Sequence, residues 1–260
     1  MRTLLAVIPH PDDESYSFGG TMALAAAAGW RCLVQCATSG ERGKRHDGGP
    51  PGALALAKTR EAELAASCRI LGAEPPVFWG LPDGGLRRHT GEARRLAALL
   101  QTLAPDVVLT LGPDGAYGHP DHVELNRWVT EAVMGGSRPP VLLWPVFPPG
   151  LFLPQYEKCI AMMGEAPSPA AEEIGSDAWD YEVAVAAVRD TKLAAIAAHR
   201  TQLPGGDPAA IFPPGIVAAL LDVERFTAPF GAMTLPAPFG APPRRQSSPS
   251  AAKPGEGVGG

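Results

Sequence analysis

The chain has 260 residues, 45% of them apolar and 19% charged, the composition of a globular protein long enough to bury a full core. A net charge of -5 without any basic stripe argues against a nucleic-acid partner, and no apolar run is long enough to span a bilayer.

Residues 3–8 form an unbroken apolar run that reads as a buried strand. A helix over 19–28 is closed by Gly29, and 31–37 reads as a second strand. Residues 53–71 have helical spacing and meet Gly72, a residue suited to a left-handed cap. Residues 77–79 predict a short strand, 92–103 an amphipathic helix and 106–110 another buried strand. A Gly-rich turn then leads into a helix from His119 to about Met134, followed by a strand over 141–146. Farther on, 179–187 reads as a strand, 188–202 as a helix and 208–221 as a second helix. Strands alternating with helices imply an α/β fold, with a mainly parallel sheet, right-handed crossovers and helices on both faces. The 29 prolines and 30 glycines gather in 43–52, 135–150, 204–215 and the C-terminal end, which read as loops. A single domain over 1–236 is expected, with a disordered Pro/Ser/Gly-rich tail over 237–260. No internal repeat is present.

The short apolar stretch after Arg2 imitates a signal peptide. However, His10-Pro11-Asp12-Asp13 ends it early and no small-residue cleavage site follows, so the chain reads as cytoplasmic. Cys32, Cys36, Cys68 and Cys159 form no CxxC pair and read as small buried hydrophobes kept reduced.

Two clusters carry chemistry. His10-Pro11-Asp12-Asp13-Glu14 follows the first strand directly, and Tyr117-Gly118-His119-Pro120-Asp121-His122 follows the strand over 106–110 and a short loop. Ligands of open parallel sheets bind beyond the carboxyl ends of the strands, so the two clusters can meet although they lie far apart in sequence. Pro120 suits the first turn of a helix, which places His119 and His122 near one another. His10 and Asp13 share that i, i+3 spacing beside Pro11. Two histidines and a carboxylate, with a fourth position left open, form the ligand pattern of catalytic zinc. The ligands chosen are His10, Asp13 and His122, for one Zn2+ per chain. Asp12 then stands beside the metal uncoordinated, and His119 lies one turn from a ligand, where a general base and a general acid are wanted. Singly, an Asp-Asp-Glu run is a solvated helix start and a His near a helix N-terminus is a cap. Two such clusters, each opening after a strand, favour the metal reading.

The HPDDE and HPDH pair resembles the two signatures of the PIG-L/LmbE-like family of zinc-dependent N-acetylglucosaminyl deacetylases. The resemblance extends to TSGERG at 38–43, residues 60–72, LPDGGL at 81–86 and KLAAIAAHRTQ at 192–202, and so covers nearly everything from Thr3 to Gln202. It implies a Rossmann-like three-layer sandwich and removal of an acetyl group from an amino sugar carried on a small aglycone. By position it assigns zinc to His10, Asp13 and His122, makes Asp12 the base, and sets His119 facing the oxyanion and the leaving amine. Tyr117 matches a site tyrosine, and Arg60 and Asp83 match positions that hold sugar or aglycone. Pro9 departs from the family, where Ala is commoner. It restricts the backbone of Ile8 and leaves the ligands intact.

The expected partner is therefore a small N-acetylated amino-sugar conjugate, with a thiol precursor such as N-acetylglucosaminyl malate or inositol preferred. A homo-oligomer is left open. One alternative is a zinc amidase cleaving thiol–sugar S-conjugates. A non-catalytic metal- or sugar-binding protein would not require both Asp12 and His119, and a metal-dependent phosphohydrolase usually wants more carboxylates. Loops 43–52, 147–180 and 203–216 are expected to select the aglycone. Glu14 reads either as orienting a ligand or as a solvated first-turn carboxylate, and Glu41 and Arg42 as touching the site or shaping their loop. His46 and His89 read as surface residues. His199 either approaches the site or packs, and Arg60 also reads as a surface ion pair beside Glu61 and Glu63.

Overall fold

The computed structural model describes residues 1–163 and 169–240. In chain order its elements are β1 (Thr3–Ile8), α1 (Asp13–Ala27), β2 (Arg31–Thr38), α2 (Ala53–Leu71), β3 (Val77–Leu81), α3 (Glu92–Leu103), β4 (Val107–Leu109), the single turn α4 (Gly115–Gly118), α5 (Pro120–Met134), β5 (Val141–Val146), α6 (Leu153–Met163), β6 (Tyr181–Ala184), α7 (Arg189–Ala198), α8 (Ile216–Ala219) and β7 (Val223–Thr227). The strands form a seven-stranded sheet in the order β3-β2-β1-β4-β5-β7-β6. From β3 to β5 all pairings are parallel, whereas β7 runs antiparallel to both β5 and β6.

Every residue of β1 is buried, because the strand lies mid-sheet with helices on both faces. Leu4, Ala6 and Ile8 point to one face, where they join Phe18 and Met22 of α1, Leu64 and Cys68 of α2, and Ala195 of α7. Leu5 and Val7 point to the other face, with Leu96 and Leu100 of α3 and Leu125, Trp128 and Val129 of α5. The expected Rossmann-like three-layer sandwich is thus present.

Some boundaries differ from the sequence reading. Helix α1 starts at Asp13, not at residue 19, because two helical pieces are joined across a kink at Phe18 (φ -152°). Its first turn is polar, so an apolar-periodicity reading passes over it. Residues 208–221 do not form one helix. A 3-10 turn over Pro208–Ile211 and the short α8 are separated by Pro213 and Pro214, which lack a backbone donor. Helix α7 stops at Ala198, and 200–202 form a 3-10 turn. Neither strand β7, which makes the sheet mixed, nor helix α6, which lies within the 147–180 segment read as a loop, was foreseen. Gly72 takes the left-handed cap expected of it (φ 76°).

The folded unit also runs past residue 236. Phe239 is buried against Trp30, Phe226 and Tyr181, with ring centroids 6.0, 6.1 and 6.3 Å away. The Trp30 indole donates to the Ala237 carbonyl (2.9 Å), and the Tyr181 hydroxyl both donates to and accepts from the Met233 backbone (2.6 and 2.8 Å). The apolar ring of Phe239 thus has a place in the core that a compositional reading of 237–260 overlooks; residues 241–260 of that expected tail lie outside the described residues. Phe239→Ala should lower the unfolding free energy by about 3 kcal/mol, read as a shifted urea midpoint with unchanged slope.

Candidate metal centre

β1 and β4 are parallel neighbours, with Leu4 aligned to Val107 and Ala6 to Leu109, so the segments leaving both strands emerge at the same end of the sheet. Residues 10–14 leave β1 there, and residues 115–122 follow β4. The His10 backbone N–H donates to Asp13 Oδ2 (2.9 Å), which folds the first cluster back on itself. Gly115 has a positive φ of 60°, and a Cβ there would lie 2.9 Å from Val123 and 3.3 Å from His122. That close approach brings the turn down onto α5, where His119 is the N-cap and Pro120 opens the helix.

The result is convergence. His10 Nδ1 lies 3.3 Å from His122 Nε2, while Asp13 reaches His10 Nδ1 through Oδ2 and His122 Nε2 through Oδ1, both at 3.5 Å. Zinc–nitrogen bonds of about 2.0–2.1 Å at tetrahedral angles place ligand atoms roughly 3.3 Å apart, the spacing seen here. The opposite face of each imidazole is held by an acceptor. His122 Nδ1 faces the Gly115 carbonyl (3.1 Å), and His10 Nε2 faces Asp83 Oδ1 (3.1 Å) and Asp121 Oδ2 (3.4 Å). A proton on each outer nitrogen leaves the inner lone pairs pointing at one another, as metal-binding histidines require.

The electrostatics agree with the donor set. Burial lowers the His122 pKa to about 4 despite the opposing Asp13 charge, keeping the ring neutral. Burial also disfavours charge on His10, yet Asp121, Asp13 and Asp83 outweigh it and raise its pKa. Around this imidazole the pocket therefore favours positive charge, which a divalent cation would supply. His10, Asp13 and His122 fit a metal ion. His119 also lies close, within 4.8 Å of His10 and His122 by ligand atoms, but its Nδ1 accepts the Asp121 backbone N–H (3.2 Å). In the neutral ring its proton then sits on Nε2. Burial, then the neighbouring His122 and His10, hold its pKa well below the ordinary value.

The expected ligands are buried, whereas Asp12 and His119 keep partial exposure. Asp12 is also strained: its φ of 111° lies in the left-handed region, a conformation costing roughly 1–3 kcal/mol for a non-glycine residue. Burial, reinforced by Asp13 and Glu14 and partly offset by Arg60, pushes its pKa up to about 7.

Arg60, read either as holding substrate or as a surface ion pair, is buried, which removes the surface reading, and donates to the Pro11 and Gly40 carbonyls and to Asp12 Oδ2 (3.1 Å). A Cβ on Gly40 would collide with this guanidinium, so the positive-φ glycine makes room for it. The Asp83 carboxylate touches His10 and accepts the Arg42 N–H (2.9 Å), while Glu41 accepts the Asp83 N–H (2.8 Å). Tyr117 is buried, stacked on Phe152 at 5.8 Å and hydrogen-bonded to Tyr16. His46 and His89 are half-buried. His199, open between approaching the site and packing, is buried and paired with Glu14 (2.8 Å). Two residues were missed: Asp121, which accepts the Gly84 and Leu86 N–H groups (2.7 and 3.1 Å) as well as facing His10, and Tyr16, which donates to Asp13 (2.6 Å). Asp121 sits inside the HPDH cluster and Tyr16 stands three residues after Asp13, one helical turn on, so both positions carried a usable signal.

The fold is α/β, and two histidines and a carboxylate converge at the carboxyl end of its parallel sheet as a candidate metal centre. The family model "PIG-L: GlcNAc-PI de-N-acetylase" matches residues 5–133. A relative from Nakamurella multipartita, "1D-myo-inositol 2-acetamido-2-deoxy-alpha-D-glucopyranoside deacetylase", is 34% identical over 78% of this chain and 81% of its own length. The chain belongs to the PIG-L family of de-N-acetylases, hydrolases of N-acetyl amide bonds. Among solved structures, a conserved protein of Thermus thermophilus matches 91% of this chain and 99% of its own with a TM-score of 0.63 and 27% identity. A 4-carboxy-2-hydroxymuconate hydratase from Pseudomonas putida shares the fold (TM-score 0.62, 23% identity, 91% of this chain and 99% of that one). No helix among the described residues is long and apolar enough to cross a membrane.

His122→Ala should abolish stoichiometric metal binding, measured by elemental analysis after dialysis, whereas Asp121→Asn should weaken metal affinity by about 10–100-fold by loosening His10.

Proposed function

We propose that the chain is a zinc-dependent N-deacetylase of an N-acetylglucosaminyl conjugate, with inositol as the favoured aglycone. The observation that carries this reading is the meeting of His10, Asp13 and His122 within 3.5 Å while Asp12 and His119 stay partly exposed beside them. The name of the Nakamurella relative supports the choice of N-acetylglucosaminyl inositol over the malate conjugate as thiol precursor.

Amide hydrolysis is slow because the carbonyl is unreactive and the amine leaves badly. Zinc held by His10, Asp13 and His122 would supply Lewis acidity and lower the pKa of water to about 7. Asp12 takes the proton of the attacking water. Burial raises the Asp12 pKa and a neighbouring cation lowers it, so the carboxylate is ionised at neutral pH and still basic enough to accept a proton. His119 stays neutral and offers its Nε2–H to the oxyanion, a type of donor worth roughly 3 kcal/mol. The protonated Asp12 then returns its proton to the departing amine, so acetate and a free amino sugar leave. Tyr117, Arg60 and Asp83 support these groups from below: Tyr117 packs beside His122, Arg60 holds Asp12 and Asp83 orients His10.

Acetate release should be tested on N-acetylglucosaminyl inositol, N-acetylglucosaminyl malate, diacetylchitobiose and a thiol–sugar S-conjugate, with and without chelator. Chelator-sensitive release from the inositol conjugate is expected; cleavage of the S-conjugate alone would replace this reading with the amidase. Asp12→Asn should retain metal and lose at least 100-fold in kcat.

Asp12 acts as the carboxylate, so kcat/KM should fall as pH drops through its pKa. That pKa is raised to about 7 by burial, and a bound cation pulls it down. The acid limb should therefore have its midpoint between the ordinary carboxylate range and 7, and a midpoint near 4 would count against Asp12.

A further inference from the structure

Asp12 holds its unfavourable backbone conformation because neighbouring groups tie down both sides of it. Arg60 holds one side, through the Pro11 carbonyl and Asp12 Oδ2. On the other side the Asp12 N–H donates to Glu14 Oε2 at 3.1 Å. Glu14 is fully buried, and its second oxygen, Oε1, takes two further contacts: the Ser67 hydroxyl of α2 at 2.5 Å and His199 Nε2 at 2.8 Å, where the chain leaves α7. Ser67 and His199 are themselves fully buried. The turn presenting His199 is anchored in its own right, because Thr201 donates both its N–H and its hydroxyl to Glu63 of α2 (2.8 and 2.6 Å). Well-packed apolar residues generally fill a buried space as stably as an ion pair does, so stability alone does not account for polar groups here.

We propose that His199 is a positioning residue that acts through Glu14 to hold Asp12 in its left-handed conformation, aiming the carboxylate at the substrate. This rests on the reading of Asp12 as the base. Two elements remote from the metal ligands, α2 and the end of α7, thereby reach the reacting centre along one short chain of hydrogen bonds: His199 and Ser67 to Glu14, and Glu14 to the Asp12 backbone. Without His199, Glu14 keeps only Ser67 on Oε1 and can turn, so the Asp12 N–H loses its fixed acceptor and the carboxylate its exact aim, although Arg60 and Ser15 still hold the rest of the turn. Both sugar and metal contacts survive that change, so the loss falls on kcat.

The test compares His199→Leu, which preserves volume, with His199→Gln, whose amide nitrogen can occupy the place of Nε2. For the metal-loaded enzyme on its acetylated sugar, His199→Leu should lower kcat at least tenfold, with KM within about twofold of wild type. Metal content should stay at one ion per chain, and His199→Gln should recover most of the loss. In an Asp12→Asn background His199→Leu should cause no further decrease, since the group it positions is gone. Should His199→Leu fail to fold, Ser67→Ala frees the same Glu14 oxygen at small volume cost and should lower kcat several-fold, again without effect in Asp12→Asn. The inference is overturned if the folded variants keep wild-type kcat, if KM, metal content and kcat fall together without rescue by Gln, or if the losses persist undiminished in Asp12→Asn. An Asp12→Asn enzyme that stays active defeats the base assignment itself, a separate result.

Discussion

The parallel pairing of β1 with β4 is the constraint on which the centre depends. Two parallel strands side by side release their following segments at the same end of the sheet, and here those segments carry His10 and His122. Neither histidine makes a metal site alone, and no local interaction joins them. The apolar run of β1, buried on both faces, therefore serves the chemistry indirectly: its burial fixes where His10 stands.

Around that meeting point the protein concentrates buried charge that would be costly elsewhere. Asp13, Asp83 and Asp121 crowd one imidazole, and Glu14 lies close behind them. Each carboxylate is matched by donors: Asp121 gathers the loop amides of Gly84 and Leu86, Asp83 ties in the backbone of Arg42, and Asp13 takes the Tyr16 hydroxyl. Those hydrogen bonds keep the cost of burying the carboxylates bounded. The same supports hold the ligand rings in one orientation, so rigidity and electrostatics have one origin.

The fold does not choose the reaction. A hydratase and de-N-acetylases share this architecture, so the reading of this chain rests on which side chains stand at the carboxyl end of its sheet. Asp12 and His119 matter for that reason. They are the partly exposed groups beside the ligands, and their environments push them in useful directions, the carboxyl towards neutrality and the imidazole towards its uncharged form.

Much of this was legible in the chain. Periodicity located the parallel strands and the helices that cover them, though not α6 within 147–180; Gly72 announced its cap, and the HPDDE and HPDH clusters held the three side chains that converge. Those features are local: a buried strand, a cap and a first-turn histidine are set by neighbours a few residues away. The kinked start of α1, strand β7 and the seat of Phe239 were not legible, because each exists only through partners distant in sequence. Arg60 shows the difference most plainly. Its sequence neighbours Glu61 and Glu63 suggested a surface ion pair, whereas its guanidinium lies beneath Asp12, where a glycine from another loop leaves room. The sequence by itself determined which side chains could act as donors and which fold would carry them, since residue type and period are written in the chain. Only the tertiary structure decided what holds those donors in place, because hydrogen bonds between α2, α7 and the first cluster depend on packing that no local pattern records.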